Sequence, residues 1–381
     1  MLKDRNIVFM APHDFDDIRG RVHHLAERFA RSNNVLFVET QESLPFLIRK
    51  GRWRKLFRGL FSPLRKMGNL WTLTPLACLP FDGVSELANR INSALLKWQL
   101  LRTFRKLDIS RPIVVFYMPG YYRLVGRLGE SASVYDLVDE RSALPGRHGR
   151  CFAAREQAML SRCDLTVVVS ERLLNAKRDR ARQIALIPNG ADTALFSNAR
   201  KTATELDKLT RPIIGYVGAI DEWFDFELLW YLARNRPNWN FVLVGPVRTR
   251  FRKPEDLGNV LFLGERRYDE LPNYTAGFDC CIVPHKLTTF RLFSDPLKVY
   301  EYIAAGKPVV SVPIPSVERF GELVSIARDR RSFLTAIERE LESDSPAKAE
   351  RRKEAAREFD WSARAEAMSA EMEKILNDNQ S

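Results

Sequence analysis

The strongest constraint on this chain is an alternation. Short, nearly continuous apolar runs are separated by amphipathic segments, and the pattern runs through twice. In the first half NIVFM (6–10), VLFVE (35–39), WTLTPL (71–76), PIVVFYM (112–118), ASVYDLV (132–138), LTVVVS (165–170) and IALIP (184–188) read as strands. Between them, helical spacing puts Ile18, Val22, Leu25 and Phe29 on one face over 17–31, and Val84, Leu87, Ile91, Leu95 and Trp98 on another over 84–107. Strands that are apolar at every position are covered on both faces, which predicts parallel sheets with helices on either side. After a polar, uneven stretch at 196–211 the pattern restarts with PIIGYVG (212–218), FVLVG (241–245), VLFLG (260–264), DCCIVP (279–284) and PVVSV (308–312). The predicted fold class is α/β, with two doubly wound domains at 1–195 and 212–344 and a charged helical tail at 345–381 interrupted near Phe359–Asp360–Trp361. Two such domains face a cleft, with ligands beyond the carboxyl ends of the strands.

A length of 381 residues suits two domains of about 150–200 residues. The formal charge of +12 is unevenly placed: residues 1–190 hold 32 basic and 18 acidic side chains, the remainder 28 and 30, and residues 43–111 alone hold 14 and 3. No run approaches the roughly 20 apolar residues that span a bilayer, and the opening MLKDRNIVFMAPHD is too broken for a secretory signal. The five cysteines lack metal-site spacing and read as buried thiols of a reducing compartment, so a cytoplasmic location is expected.

The segment SDPLKVYEYIAAGKPVVSVPIPSV (294–317) carries the most chemistry. Pro296 suits the first turn of a helix, Gly306 its end and Pro308 the start of a buried strand. A helix start presents free N–H groups and partial positive charge. Lys298 lies within a turn of it, and Glu301 one turn on, where a carboxylate accepts paired hydroxyls. A phosphate at Lys298 and a ribose diol at Glu301 would describe a nucleotide. The plainer alternative is an ordinary i,i+3 surface pair. Asp295 reads as the helix N-cap.

This segment resembles the donor-binding signature of GT-B glycosyltransferases of family 4, in a bacterial polysaccharide and teichuronic-acid branch of the form PLK-x-x-EY-x-AAGKPVV. DFDDIRGRVHHLAERFARSNNVLFVE (14–39), VYDLVDE (134–140), IPNGADTALF (187–196), GYVGAIDEWFDFELL (215–229) and FVLVGP (241–246) carry the resemblance over most of the chain. It implies two Rossmann-like domains and, through Trp361, a final helix crossing back to the N-terminal domain. It also implies a glycosyltransferase that moves a sugar from a nucleotide-sugar donor to a glycan or lipid-linked acceptor, retaining and metal-independent, with no cofactor besides the donor as substrate. Glu301 then holds the donor ribose. The family's first glutamate falls at Phe293, and its cationic pair after the first strand of the second domain is replaced by Ala219–Asp221 following Gly218. Lys298, Arg291 and Lys286 are the cations available for the diphosphate. A non-catalytic nucleotide-sugar or glycan-binding protein and a nucleotide-sugar epimerase remain as alternatives.

On the acceptor side, APHDFDD (11–17) places His13, Asp14, Asp16 and Asp17 at the end of the first strand. Asp16 or Asp17 reads as the cap of the following helix, and His13 and Asp16 as catalytic candidates. Asp136, Asp139 and Glu140 follow another strand. Asp136 is a candidate catalytic or sugar-binding acid, or else a buried partner of an arginine, and Asp139 and Glu140 are candidate cleft residues. Finally, IRKGRWRKLFRGLFSPLRKM (48–67) interleaves eight basic residues with an apolar stripe through Trp53, Leu56, Phe57, Leu60 and Leu64. Arg52, Trp53, Lys55, Phe57, Arg58 and Phe61 are predicted to contact an anionic membrane peripherally on its inner face. The same charges would suit nucleic acid, but no reading motif accompanies them, and no nucleic-acid partner is expected.

Overall fold

A computed structural model describes residues 1–140, 146–199 and 201–379. They form two compact units, Met1–Pro188 together with the stretch from Arg364 onward, and Asn189–Ala363.

The first unit contains β1 (Asn6–Met10), α1 (Arg21–Phe29), β2 (Asn34–Val38), α2 (Leu44–Arg49), α3 (Trp53–Phe61), β3 (Leu64–Met67), β4 (Leu70–Leu73), α4 (Glu86–Lys106), β5 (Ile113–Phe116), β6 (Ala132–Leu137), α5 (Gly146–Arg162), β7 (Leu165–Val168), α6 (Glu171–Lys177) and β8 (Ile184–Leu186). Among the described residues these strands make one eight-stranded sheet in the order β3-β4-β2-β1-β5-β6-β7-β8. All pairs are parallel except β3 with β4. The central strands are buried along nearly their whole length, as their unbroken apolar runs require. β3, which the pattern did not reveal, is an antiparallel edge strand whose Arg65 and Lys66 suit an unpaired border.

Three helical expectations change. The helix predicted over 17–31 begins only at Arg21. Its cap residue is Gly20, whose N–H donates to His23 Nδ1 at 3.1 Å, so neither Asp16 nor Asp17 caps it, and Ile18 is exposed. The basic stretch is not one helix. It breaks at Lys50–Gly51–Arg52, where Gly51 adopts φ 63°, and it ends before Leu64, which lies on β3. The predicted apolar face of α4 points outward: Leu87, Ile91 and Trp98 are exposed, while Asn89, Asn92, Gln99, Leu96 and Leu100 are buried.

The second unit contains α7 (Thr193–Ser197), β9 (Ile213–Val217), α8 (Phe226–Asn235), β10 (Asn240–Val244), β11 (Val260–Gly264), α9 (Leu271–Gly277), β12 (Cys280–Val283), α10 (Thr289–Phe293), α11 (Leu297–Ala304), β13 (Val309–Ser311), α12 (Pro315–Glu318), β14 (Ser325–Ile326), α13 (Arg330–Ser343), α14 (Pro346–Ala356) and the start of α15 (Trp361–Asp378). Among the described residues its six strands run in the order β11-β10-β9-β12-β13-β14, all parallel. Side-chain caps at Asp225, Thr288, Asp329 and Ser345 satisfy the first N–H groups of α8, α10, α13 and α14.

Residues 189–195, expected with the first domain, belong to the second unit. The Ala191 N–H donates to Phe359 O at 3.0 Å and the Trp361 N–H to Ala191 O at 3.2 Å. The stretch 196–211 is no loose linker either, since Phe196, Ala203 and Leu206 enter the second core. The tail breaks at 357–360 as expected, but α14 packs on α11 within the second unit, with Arg352 Nε donating to Gly306 O at 3.0 Å. Cys78, Cys163, Cys280 and Cys281 are buried free thiols, and Cys151 is half-buried.

Gly215 on β9 lies so close to Phe278 that an added Cβ would fall 1.9 Å from its ring. Gly215→Ala is therefore expected to lose about 1–3 kcal/mol through overpacking. Phe278→Leu in the same chain should recover part of that loss, as read by urea denaturation of the two variants.

Candidate functional site

The residues predicted to hold the donor lie at the carboxyl end of the second sheet. Pro296 is the cap residue of α11 and has no capping side chain, so the helix start is not closed by its own sequence. Asp295, predicted as that cap, has another task. Its buried carboxylate accepts from Asn189 N–H at 2.8 Å and Tyr300 O–H at 2.6 Å, and lies 3.3 Å from Arg319. Asn189 Nδ2 donates in return to Asp295 O at 2.7 Å. These bonds hold the entry to α11 in place.

The helix is also fixed to β9, where Val217 N–H donates to the Tyr302 hydroxyl at 2.7 Å. Next to it Gly218 has φ 136°, and a Cβ there would lie 2.9 Å from Lys298 Cε. Gly245, with φ 147°, approaches Gly218 O so closely that a Cβ would sit 2.1 Å from it. Two loops thus meet beside the lysine with no side chain between them.

Lys298 rests its ammonium 4.9 Å from the centre of the Tyr216 ring. Burial pushes it down to about 7, the neighbouring Arg291 charge adds to that, and Glu301 opposes it. Burial pushes Glu301 up to about 7, opposed by a hydrogen bond from Tyr268 and by Lys298. Arg291 lies 4.1 Å from the centre of the Trp223 ring. Gly218, Lys298, Glu301 and Arg291 therefore stand together. Lys286 is turned elsewhere: it is exposed and lines a cavity of about 560 Å³ with Asp225, Glu227, Arg330 and Phe333. His285, Tyr216, Trp223 and Tyr268 were not foreseen: Tyr216 and His285 sit at the ends of β9 and β12, and Trp223 and Tyr268 lie in the loops after β9 and β11. Burial holds His285 well below the usual imidazole range, and the Lys298 and Arg291 charges add to this, so it is neutral.

In the first unit the acids after β1 face the cations of α3. Asp14 is buried against Lys55, with Arg52 Nη2 at 2.7 Å, and Glu42 lies 2.6 Å from Arg52 and 2.8 Å from Lys55. Asp16 lies 3.1 Å from Arg65 and 3.4 Å from Arg58, and the fully buried Glu39 lies 3.1 Å from Arg65. Burial raises Asp14 to about 6 despite Lys55. Arg52, Lys55 and Arg58 are therefore not open lipid contacts, because their charges turn inward. Trp53, Phe57 and Phe61 remain exposed. Exposed His13 and Asp17 line a cavity of about 320 Å³ with Thr40, Glu42, Phe46 and Arg52.

Two other candidates are internal counterions instead of cleft ligands. Asp136 is fully buried and takes Arg21 Nε at 2.8 Å, while Arg21 also donates to Pro188 O. Glu140 and Glu156 share Lys177, each at 2.6 Å. Asp139 is half-buried in the turn after β6. His23 completes the loop from below, taking the Gly20 N–H on Nδ1 and donating from Nε2 to Asp14 O at 3.0 Å.

Residues 211–343 match the family model described as glycosyl transferases group 1. The chain is 27% identical over 335 residues to a Bacillus subtilis (strain 168) protein named as a teichuronic acid biosynthesis glycosyltransferase, covering 82% of this chain and 81% of that one. In structure it is similar to sucrose-phosphate synthase from Thermosynechococcus elongatus, with TM-score 0.72, 18% identity and 98% and 99% of the two chains covered. It is also similar to the Anabaena HepE protein in complex with UDP, with TM-score 0.62, 14% identity and 97% and 100% covered.

The two shifted groups set the pH dependence of stability. Glu301 has a folded value near 7 against an ordinary 4.5, so its contribution falls as pH rises from about 4.5 to 7. Lys298 has a folded value near 7 against 10.5, so its contribution grows as pH rises from about 7 to 10.5. Melting of the ligand-free protein should show a shallow minimum near pH 7. Combining Lys298→Met with Glu301→Gln should remove it and raise the melting temperature there by about 2–4 °C.

Proposed function

We propose that this chain, a GT-B glycosyltransferase of the bacterial polysaccharide type, transfers a sugar from a nucleoside-diphosphate donor bound by its second unit. The acceptor is a glycan or lipid-linked glycan of the cell envelope or exopolysaccharide. The observation that carries this reading is the arrangement of Lys298 and Arg291 at the open start of α11, with Glu301 one turn further on. The diphosphate lies against the two cations and the first N–H groups of the helix. The ribose diol donates to the Glu301 carboxylate, which must be ionised to accept both hydroxyls. An anion at Lys298 restores the full charge of the ammonium, and an ammonium there favours the ionised Glu301, so phosphate and ribose recognition reinforce one another.

As the bond between the anomeric carbon and the diphosphate oxygen breaks, negative charge collects on the leaving group. Lys298, Arg291 and the helix start meet it. In this reading the chain supplies that charge itself, without a metal ion, and the anomeric configuration is retained, as the family resemblance implies. The UDP in the Anabaena relative favours a uridine donor, and the name of the Bacillus relative favours an envelope polysaccharide. In the first unit His13 and Asp17 bind the acceptor hydroxyl from the rim of their cavity. Asp16, held by Arg58 and Arg65, orients the loop. The enzyme works in the cytoplasm, peripherally bound to the inner membrane face. Exposed Trp53, Phe57 and Phe61, with Arg49, Lys50 and Arg54 beside them, support this.

The test is nucleoside-diphosphate release from a panel of UDP-, GDP-, ADP- and TDP-sugars in the presence of membrane acceptor extract. Lys298→Ala and Glu301→Gln are each expected to lower kcat/KM by about 10²–10³, and the matching nucleoside diphosphate should raise the melting temperature of the wild type. A wild-type enzyme that releases nothing from any donor would remove the reading.

A further inference from the structure

Helix α4 turns a stripe of apolar side chains to water. Its buried face sets Asn89, Asn92, Ser93, Gln99 and Thr103 among Ala88, Leu96, Leu100 and Phe104. Asn92 accepts the Leu79 N–H at 2.8 Å and donates to Leu79 O at 3.1 Å, Gln99 accepts the Leu76 N–H at 3.0 Å, and Asn89 donates to Gly120 O at 3.0 Å. Rotating the helix to bury its apolar stripe would strand these backbone groups without partners, which is costly for buried donors and acceptors. The stripe is therefore held outward, with Leu87 69%, Ile91 46% and Trp98 52% exposed and Leu95 half-buried between them.

The loop bonded to this helix adds to the same apolar surface. Phe81 is 75% exposed and has φ 64°, a left-handed backbone that a phenylalanine adopts only at a cost. Leu79 is exposed beside it. Residue 78 of this loop bonds to the start of α2 through Leu44 N–H to Cys78 O at 3.2 Å, and exposed Leu44 and Ile48 continue the surface there.

We infer that the outer face of α4, with Phe81, is a bilayer-contacting surface that lies flat on a leaflet rich in anionic headgroups. This rests on the peripheral-membrane reading above and extends it to a helix that reading did not include. The charges around the stripe choose the occupant. Arg90, Lys97, Arg102, Arg105 and Lys106 flank it, and the guanidinium of Arg102 lies 5.7 Å from the centre of the Trp98 ring. The single acid of the helix, Glu86, is already held by Arg123, Arg155 and Tyr122. Two copies pairing through this face would bring two sets of cations together, whereas acidic headgroups complement them. Leu87 to Trp98 present apolar groups over about 16 Å of helix, with cations at the rim, as in an interfacial helix.

The experiment is co-sedimentation of the full chain with vesicles of phosphatidylcholine alone and of phosphatidylcholine with phosphatidylglycerol. Wild type, Trp98→Glu, Ile91→Glu, Phe61→Glu and the conservative Ile91→Val are compared, with melting temperature and light scattering on each. Trp98→Glu and Ile91→Glu should each weaken binding to the anionic vesicles by about tenfold or more. Ile91→Val should bind like wild type, and all variants should melt as wild type does because the positions face outward.

If the α4 variants bind as wild type while Phe61→Glu does not, the α4 surface is overturned and the membrane reading stands. If wild type binds neither vesicle, both fall. A wild-type dimer that Trp98→Glu turns into a monomer would make this face a contact between copies and overturn the proposal.

Discussion

The geometry at α11 depends on one costly arrangement: the ammonium of half-buried Lys298 and the buried carboxylate of Glu301 on the first two turns of the same helix. Neither is fully charged at neutral pH while the site is empty, since burial penalises both charged forms. The surroundings are built to sustain that cost. Asp295 ties the entry of α11 to Asn189, Tyr302 ties its body to β9, and two glycines let the flanking loops close on Lys298 without filling the space. An anion at the helix start changes the energetics of both groups together.

The first unit manages charge in the opposite way. There Asp14, Asp16 and Asp17 after β1 and Glu39 and Glu42 after β2 share Arg52, Lys55, Arg58 and Arg65, so the cations that looked available for lipid are largely consumed inside. What stays outside is apolar, rimmed by the cations left unpaired. Charge excess in a sequence and charge exposed on a surface are thus different quantities, and only the fold distinguishes them.

Both sheets were legible in the chain because fully buried strands leave uninterrupted apolar runs, and the α11 segment was legible because Pro, Lys, Glu and Gly fall at positions with local helical meaning. What escaped was non-local. β3 has no apolar signature because it is an edge. The outward face of α4 is set by hydrogen bonds from Leu76 and Leu79, which no periodicity within the helix contains. Asp136 and Glu140 sit at strand ends, where ligand-binding acids also sit, and only their distant partners Arg21 and Lys177 identify them as counterions. Tyr216, Trp223 and Tyr268 reach the site from separate elements.

The bond from Val217 N–H to the Tyr302 hydroxyl has a consequence for motion. That amide ends a central strand and is shielded by a side chain from α11, so it opens to solvent only when the helix parts from the sheet. Strand end and α11 therefore loosen as one cooperative piece. Hydrogen exchange at this single amide reads out the parting of α11 from the sheet.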